Sequence, residues 1–176
     1  VTSNVTYTAQ YESAVNWYTV TFIVGDQTYT QQYEYGATPQ QPANTSKPAD
    51  AQYTYNFAGW DKPLTAVKGN VTYTAQYGQT LNQYTVTFII DGKAEQHQYP
   101  YGTMPMQPAN TSKPADAQYT YTFTGWDTDL AAVTGEATYT AQYTATKNKY
   151  TVIFIVGDTE IKDEYEYGAT PEAPEA

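Results

Sequence analysis

Tyr18-Thr19-Val20-Thr21-Phe22-Ile23-Val24-Gly25-Asp26 reads as a strand running into a turn. Apolar side chains fall on Tyr18, Val20, Phe22 and Val24, with threonine between most of them. A period of two with one apolar side describes a strand lying on a core with its other face in water. Gly25-Asp26 then offers two residues suited to a tight hairpin turn. Working outward, a second strand is expected over 28–35, stopping at Gly36, a third over 53–60 and a fourth over 71–77. The segment between the second and third carries Pro39, Pro42 and Pro48. Those prolines forbid a central strand and a long helix, leaving one helical turn or a polyproline stretch that crosses the sheet. Two strand pairs joined by such a crossover make a small mixed sheet. The expected class is α+β, mostly β with little helix, in a β-grasp-like arrangement. A pure β-sandwich is the alternative.

The pattern recurs at an interval of 66 residues. Tyr18 is matched by Tyr84 and Tyr150, Tyr35-Gly36 by Tyr101-Gly102 and Tyr167-Gly168, and Gly59-Trp60-Asp61 by Gly125-Trp126-Asp127. The two full copies are identical at 42 of 66 positions, and residues 41–55 return unchanged as 107–121. Fidelity in a proline-containing segment follows either from recent duplication or from a function that the segment shares. The expected division is the tail of a preceding repeat at 1–11, repeat units at 18–77 and 84–143, and a partial unit at 150–176. Variable polar linkers are expected at 12–17, 78–83 and 144–149. The ends falling in mid-repeat suggest a piece of a longer array.

Composition narrows the function. The chain has 176 residues, 20 tyrosines, no cysteine, one histidine and a formal charge of −10. All eight of its cations are lysines. Such a balance argues against nucleic acid or an anionic membrane as partner, because phosphate binding needs clustered cations. Without cysteine there are no disulfides, thiolate metal sites or cysteine nucleophile. No apolar run is long enough to span a membrane as a helix.

Catalytic and metal constellations are not expected. His97 is replaced by Gln31 and Asp163 at the equivalent positions, so the repeat does not need it. Asp50 and Asp116, and Asp61 and Asp127, are the acids that recur regularly, and turn or cap roles suit them. No calcium-loop pattern occurs, and no cofactor is expected. The expected core comprises Phe22, Phe57, Trp60 and Tyr73, with Phe88, Phe123, Trp126 and Tyr139 in the second copy. Gly59 is expected to allow close backbone approach beside Trp60. The candidate binding residues are Trp17 together with Asn44, Lys47, Asn110 and Lys113 of the recurring segments.

Taken together, Tyr-Thr-Val-Thr-Phe at 18–22, Tyr35-Gly36, the spaced prolines, Gly59-Trp60 and Thr-Tyr-Thr-Ala-Gln-Tyr at 72–77 resemble the Listeria–Bacteroides repeat. That is the B-repeat type found in internalin B and many bacterial surface proteins. The resemblance covers both full units and the partial ends. It implies a small β-grasp-like fold, a place in a secreted or cell-surface protein and no catalytic residues. The chain departs from the pattern at Gln52 and Gln118, where glycine is common, and at Tyr77, where tryptophan is common.

The leading expectation is therefore a non-catalytic extracellular spacer or stalk whose partners are neighbouring repeats. Compact units of this size are about 27 Å across, so the fragment would reach roughly 70–80 Å if stacked end to end. The alternative is an adhesive module that binds a host glycan or protein through the proline-containing segments. Open strand edges at the two ends also suggest head-to-tail association.

Overall fold

The computed structural model describes residues 1–173; positions 174–176, the end of the expected partial unit, lie outside them. The described residues form strands, turns and coil, with no helix among them. The chain divides into two compact units, Val1–Thr80 and Leu81–Ala176.

The first unit contains β1 (Trp17–Val24), β2 (Gln27–Glu34), β3 (Tyr53–Trp60) and β4 (Val71–Leu81), arranged in the order β2-β1-β4-β3. β1 pairs antiparallel with β2 and parallel with β4, aligning Val20 with Val71 and Phe22 with Tyr73. The second unit repeats this with β5 (Gln83–Ile90), β6 (Lys93–Pro100), β7 (Tyr119–Trp126) and β8 (Ala137–Lys147), in the order β6-β5-β8-β7. It also holds a two-stranded sheet of β9 (Lys149–Val156) and β10 (Thr159–Glu166). Residues 1–16 form no strand.

Turn chemistry fixes the hairpins. Asp91 and Gly92 have φ of 48° and 73°, the double positive that a type I′ turn demands. In β7, Gly125 has φ 135° and the register with β8 shifts between Phe123 and Gly125. This is a β-bulge, and it turns Trp126 back onto the core. Gly59, at φ 129°, occupies the equivalent place, and an added Cβ there would meet nothing within 4 Å. The glycine is needed for its backbone angle, not for the close approach expected from sequence.

One face of each sheet is dry. Val20, Phe22, Val67 and Tyr73 are buried together, and Val86, Phe88, Val133 and Tyr139 form the second cluster. Phe22 and Tyr73 stack with centroids 5.3 Å apart, as Phe88 and Tyr139 do at 5.6 Å. Trp60 and Trp126 are half-buried and pack on Phe22 and Phe88 at 4.8 and 4.9 Å. Phe57 and Phe123 are half-buried against those indoles at 5.4 Å. Each fully buried side chain of this size contributes about 1.5–3 kcal/mol, so so small a cluster leaves each unit marginal.

The expected α component is not found. The crossover over 37–52 is coil, because its prolines remove the N–H groups a helix would use. Some of its backbone polar groups are met instead by tyrosine hydroxyls projecting from the sheet. The Tyr33 hydroxyl exchanges hydrogen bonds with Gln40 N and O, and the Tyr77 hydroxyl donates to Thr45 O at 3.1 Å. Tyr99, Tyr143 and Tyr165 do likewise at Met106, Thr111 and Glu172. A tyrosine ring buries apolar area while its tip meets a polar backbone, which accounts for the tyrosine content.

Where sequence suggested linkers over 78–83 and 144–149, β4 continues to Leu81 and β8 to Lys147. A single asparagine, Asn82 or Asn148, separates each from the next strand.

Candidate functional site

The recurring segments 41–55 and 107–121 hold themselves together. Asn44 Oδ1 accepts from the Ser46 N–H at 2.9 Å and the Ser46 hydroxyl at 2.7 Å. The Lys47 ammonium lies 3.6 Å from the Tyr55 ring centroid, a cation–π contact. Asp50 Oδ1 accepts from the N–H groups of Gln52 and Tyr53 at 2.8 and 2.7 Å, and its Oδ2 accepts from the Tyr55 hydroxyl at 2.5 Å. Gln41 Oε1 accepts from the Trp60 indole at 3.1 Å. The second copy repeats each of these through Asn110, Lys113, Asp116 and Gln107. Lys113 also approaches Asp91 at 3.8 Å.

These contacts set the electrostatics. The Tyr55 hydroxyl, then the Tyr53 N–H, holds Asp50 below the ordinary carboxyl range. At Asp116 the Tyr119 N–H leads and the Tyr121 hydroxyl follows. Tyr55 and Tyr121 are raised in return, because each donates its proton to the neighbouring carboxylate. Asp61 is lowered first by the Thr74 N–H, which ties the end of β3 to β4.

A groove opens beside each segment. In the first unit it measures about 440 Å³ and lies between the β1–β2 turn and Asn44, Ser46, Pro48 and Asp50. Its counterpart of about 450 Å³ lies between the β5–β6 turn and Asn110, Ser112 and Pro114. The hairpin walls differ, since Asp26, Gln27 and Tyr29 line the first and Asp91, Lys93 and Glu95 the second. The two grooves therefore share one side and not the other.

The back of the second segment receives the following hairpin. Asn148 Nδ2 donates to Asp116 O at 2.7 Å, and the Asn148 N–H donates to Gln118 O at 2.9 Å. The Thr120 hydroxyl donates to Asn148 Oδ1 at 2.8 Å, and the Tyr150 hydroxyl donates to Ala117 O at 2.6 Å. Asn148 O closes the far side by accepting from the Tyr167 N–H at 2.8 Å. A turn organised by Asp116 thus presents three successive carbonyls to the next element.

Of the sequence candidates, Asn44, Lys47, Asn110 and Lys113 are engaged within their own segments. Trp17 is 57% exposed and opens β1 opposite Glu34. His97 is half-buried on β6, with Nε2 2.8 Å from Glu95 Oε1. The joint residues Asn148 and Tyr150 escaped the sequence reading. The available signal was asparagine at 16, 82 and 148, constant inside otherwise variable stretches.

The Listeria–Bacteroides repeat domain matches residues 18–82 and 84–149. The chain belongs to this family. Its two matched Listeria–Bacteroides repeats meet at Gln83 with no separate linker between them in sequence. Among solved structures, domains 3–4 of Streptococcal High Identity Repeats in Tandem (SHIRT) from a cell surface protein are similar at 18% identity. That similarity covers 74% of this chain and 98% of the other, with a TM-score of 0.33.

Proposed function

We propose that this tandem-repeat chain is a non-catalytic spacer segment of a bacterial surface protein, working outside the cell. The observation that carries the reading is the joint at Asn148. A flexible linker leaves successive domains free to tumble, whereas three hydrogen bonds onto one turn and a fourth from Thr120 of β7 fix the direction in which the next element leaves. The residues whose identity between copies invited a binding role are those that build this turn. We read the sheet as β-grasp-like, on the strength of its parallel central pair, with coil in the place of the helix. The net charge of −10 suits a surface that stays soluble and avoids non-specific contacts.

Small-angle scattering tests the spacer. A maximum dimension of roughly 70–80 Å, from the size scaling of domains, supports it, and a much shorter globule overturns it.

The recurring groove favours a second reading, an adhesive module for a host glycan or protein. Its unlike hairpin walls weigh against one shared ligand. Glycan and host-protein arrays probed with the whole chain decide this, because reproducible hits lost on Ser46→Trp together with Ser112→Trp would favour adhesion.

A further inference from the structure

A further groove of the first unit, of about 460 Å³, runs between the outer strand β2 and the start of the crossover. Tyr29, Thr30 and Gln31 line it from β2, and Gln40, Gln41 and Pro42 from the crossover. Its size suits a small ligand, whose sites span about 300–1,000 Å³. No lining residue is charged, in a chain of 18 acids and 8 lysines.

The groups that face this groove are held by the fold. Tyr29 is half-buried against the core cluster, so packing fixes its ring. Gln41 Oε1 accepts from the Trp60 indole at 3.1 Å, which leaves the two N–H donors of its amide for a ligand. The Tyr33 hydroxyl lies 3.3 Å from Gln31 Oε1 and exchanges hydrogen bonds with the backbone of Gln40. It thereby ties one wall to the other. Three carboxamides are gathered beside one tyrosine ring.

That inventory selects a ligand. An anion would need a cation in the groove, and a cation an acid. A wholly apolar ligand would cover the amides without pairing them. A sugar ring meets both requirements. Its C–H face lies on an aromatic ring, and its neighbouring hydroxyls give and accept hydrogen bonds as a carboxamide does.

We propose that this groove binds an uncharged saccharide, with Tyr29 as the platform and the carboxamides of Gln31, Gln40 and Gln41 on its hydroxyls. The second unit does not share the site. Ala94, Glu95, His97 and Met106 stand where the first has Thr28, Tyr29, Gln31 and Gln40, although Gln107 and Pro108 persist. The platform and two of the three amides are gone, and His97 Nε2 lies 2.8 Å from Glu95 Oε1 instead. One saccharide per chain follows. The site is separate from the recurring groove beside Ser46, so it stands or falls independently of both readings above.

The test is an array of neutral oligosaccharides of the glucose, mannose, galactose and N-acetylhexosamine series, printed beside sialylated and sulfated glycans. The whole chain, biotinylated and clustered on labelled streptavidin, is the probe. Binding to neutral members is expected, and titration calorimetry with the best of them should give one site per chain. Tyr29→Glu, and Gln31→His together with Gln40→Met, install residues that the second copy accommodates at the same places. Each should weaken binding by about tenfold or more. Ser46→Trp with Ser112→Trp should leave it unchanged. Ala94→Thr, Glu95→Tyr, His97→Gln and Met106→Gln in one chain should raise the stoichiometry to two. Silence from every neutral saccharide overturns the proposal, as does preference for the acidic glycans. Binding that survives both groove variants overturns it too. Binding lost on Ser46→Trp with Ser112→Trp overturns it in favour of the recurring groove.

Discussion

Asn148 and Asp116 meet across the junction between a complete sheet and the next hairpin, Nδ2 to main-chain oxygen at 2.7 Å. The carboxylate of Asp116 shapes the turn while its carbonyl receives the neighbour. One residue therefore serves both the inside of its repeat and the joint.

Asn148→Ala removes two side-chain bonds of that joint, each worth about 0.5–1.5 kcal/mol. Amide exchange in β9 and β10 should accelerate by roughly tenfold or more, while Val86 and Phe88 keep their protection. Unchanged exchange in the hairpin would show that the joint bears no load.

Trp126→Ala strips packing from Phe88 and the bond to Gln107. At about 3 kcal/mol, the low end for a large aromatic, the loss approaches the whole stability of so small a unit. Limited proteolysis should open the second unit and spare the first. Equal protection of both would place the indole outside the core.

Gly125→Ala isolates backbone strain, since the added methyl meets nothing within 4 Å. Holding alanine at φ 135° should cost about 1–3 kcal/mol and lower the melting temperature. Gly135→Ala, equally uncrowded and without positive φ, is the control and should be neutral or slightly stabilising.

Acid should weaken both units. The depressed carboxyls of Asp50 and Asp116 stabilise the fold fully above the unfolded value of about 3.9. That contribution is lost as pH falls through their lower folded values. Asp116→Asn should flatten the acid limb of the melting-temperature profile for the second unit alone. At the alkaline end the raised hydroxyls of Tyr55 and Tyr121 act in reverse. Their contribution is full below about 10 and disappears as pH rises through the higher folded values.

The strands were legible because alternation of tyrosine, valine and threonine is a local signal. β3 spans 53–60, as read from sequence, and the hairpin turns follow from Gly25-Asp26 and Asp91-Gly92. The extension of β8 past Tyr143 was not legible. Ladder bonds such as those at Thr144, Ala145 and Thr146 join backbones, so variable side chains conceal them. Val67 and Val133 were missed because a lone valine in a loop has no period, although both are buried. The coil crossover depends in part on hydroxyls 32 residues away in sequence, as from Tyr77 to Thr45, which no short window along the chain detects.

The parallel pairing of β1 with β4 has a consequence under tension. The chain enters the first sheet at the start of β1 and leaves it at the end of β4, from opposite ends of neighbouring strands. Pulling on the chain drives these strands past one another, so their bonds are loaded together in shear and cannot unzip one by one. β5 and β8 repeat the geometry in the second unit. A repeat of modest thermodynamic stability therefore meets a pull on its two ends with a whole ladder of bonds at once.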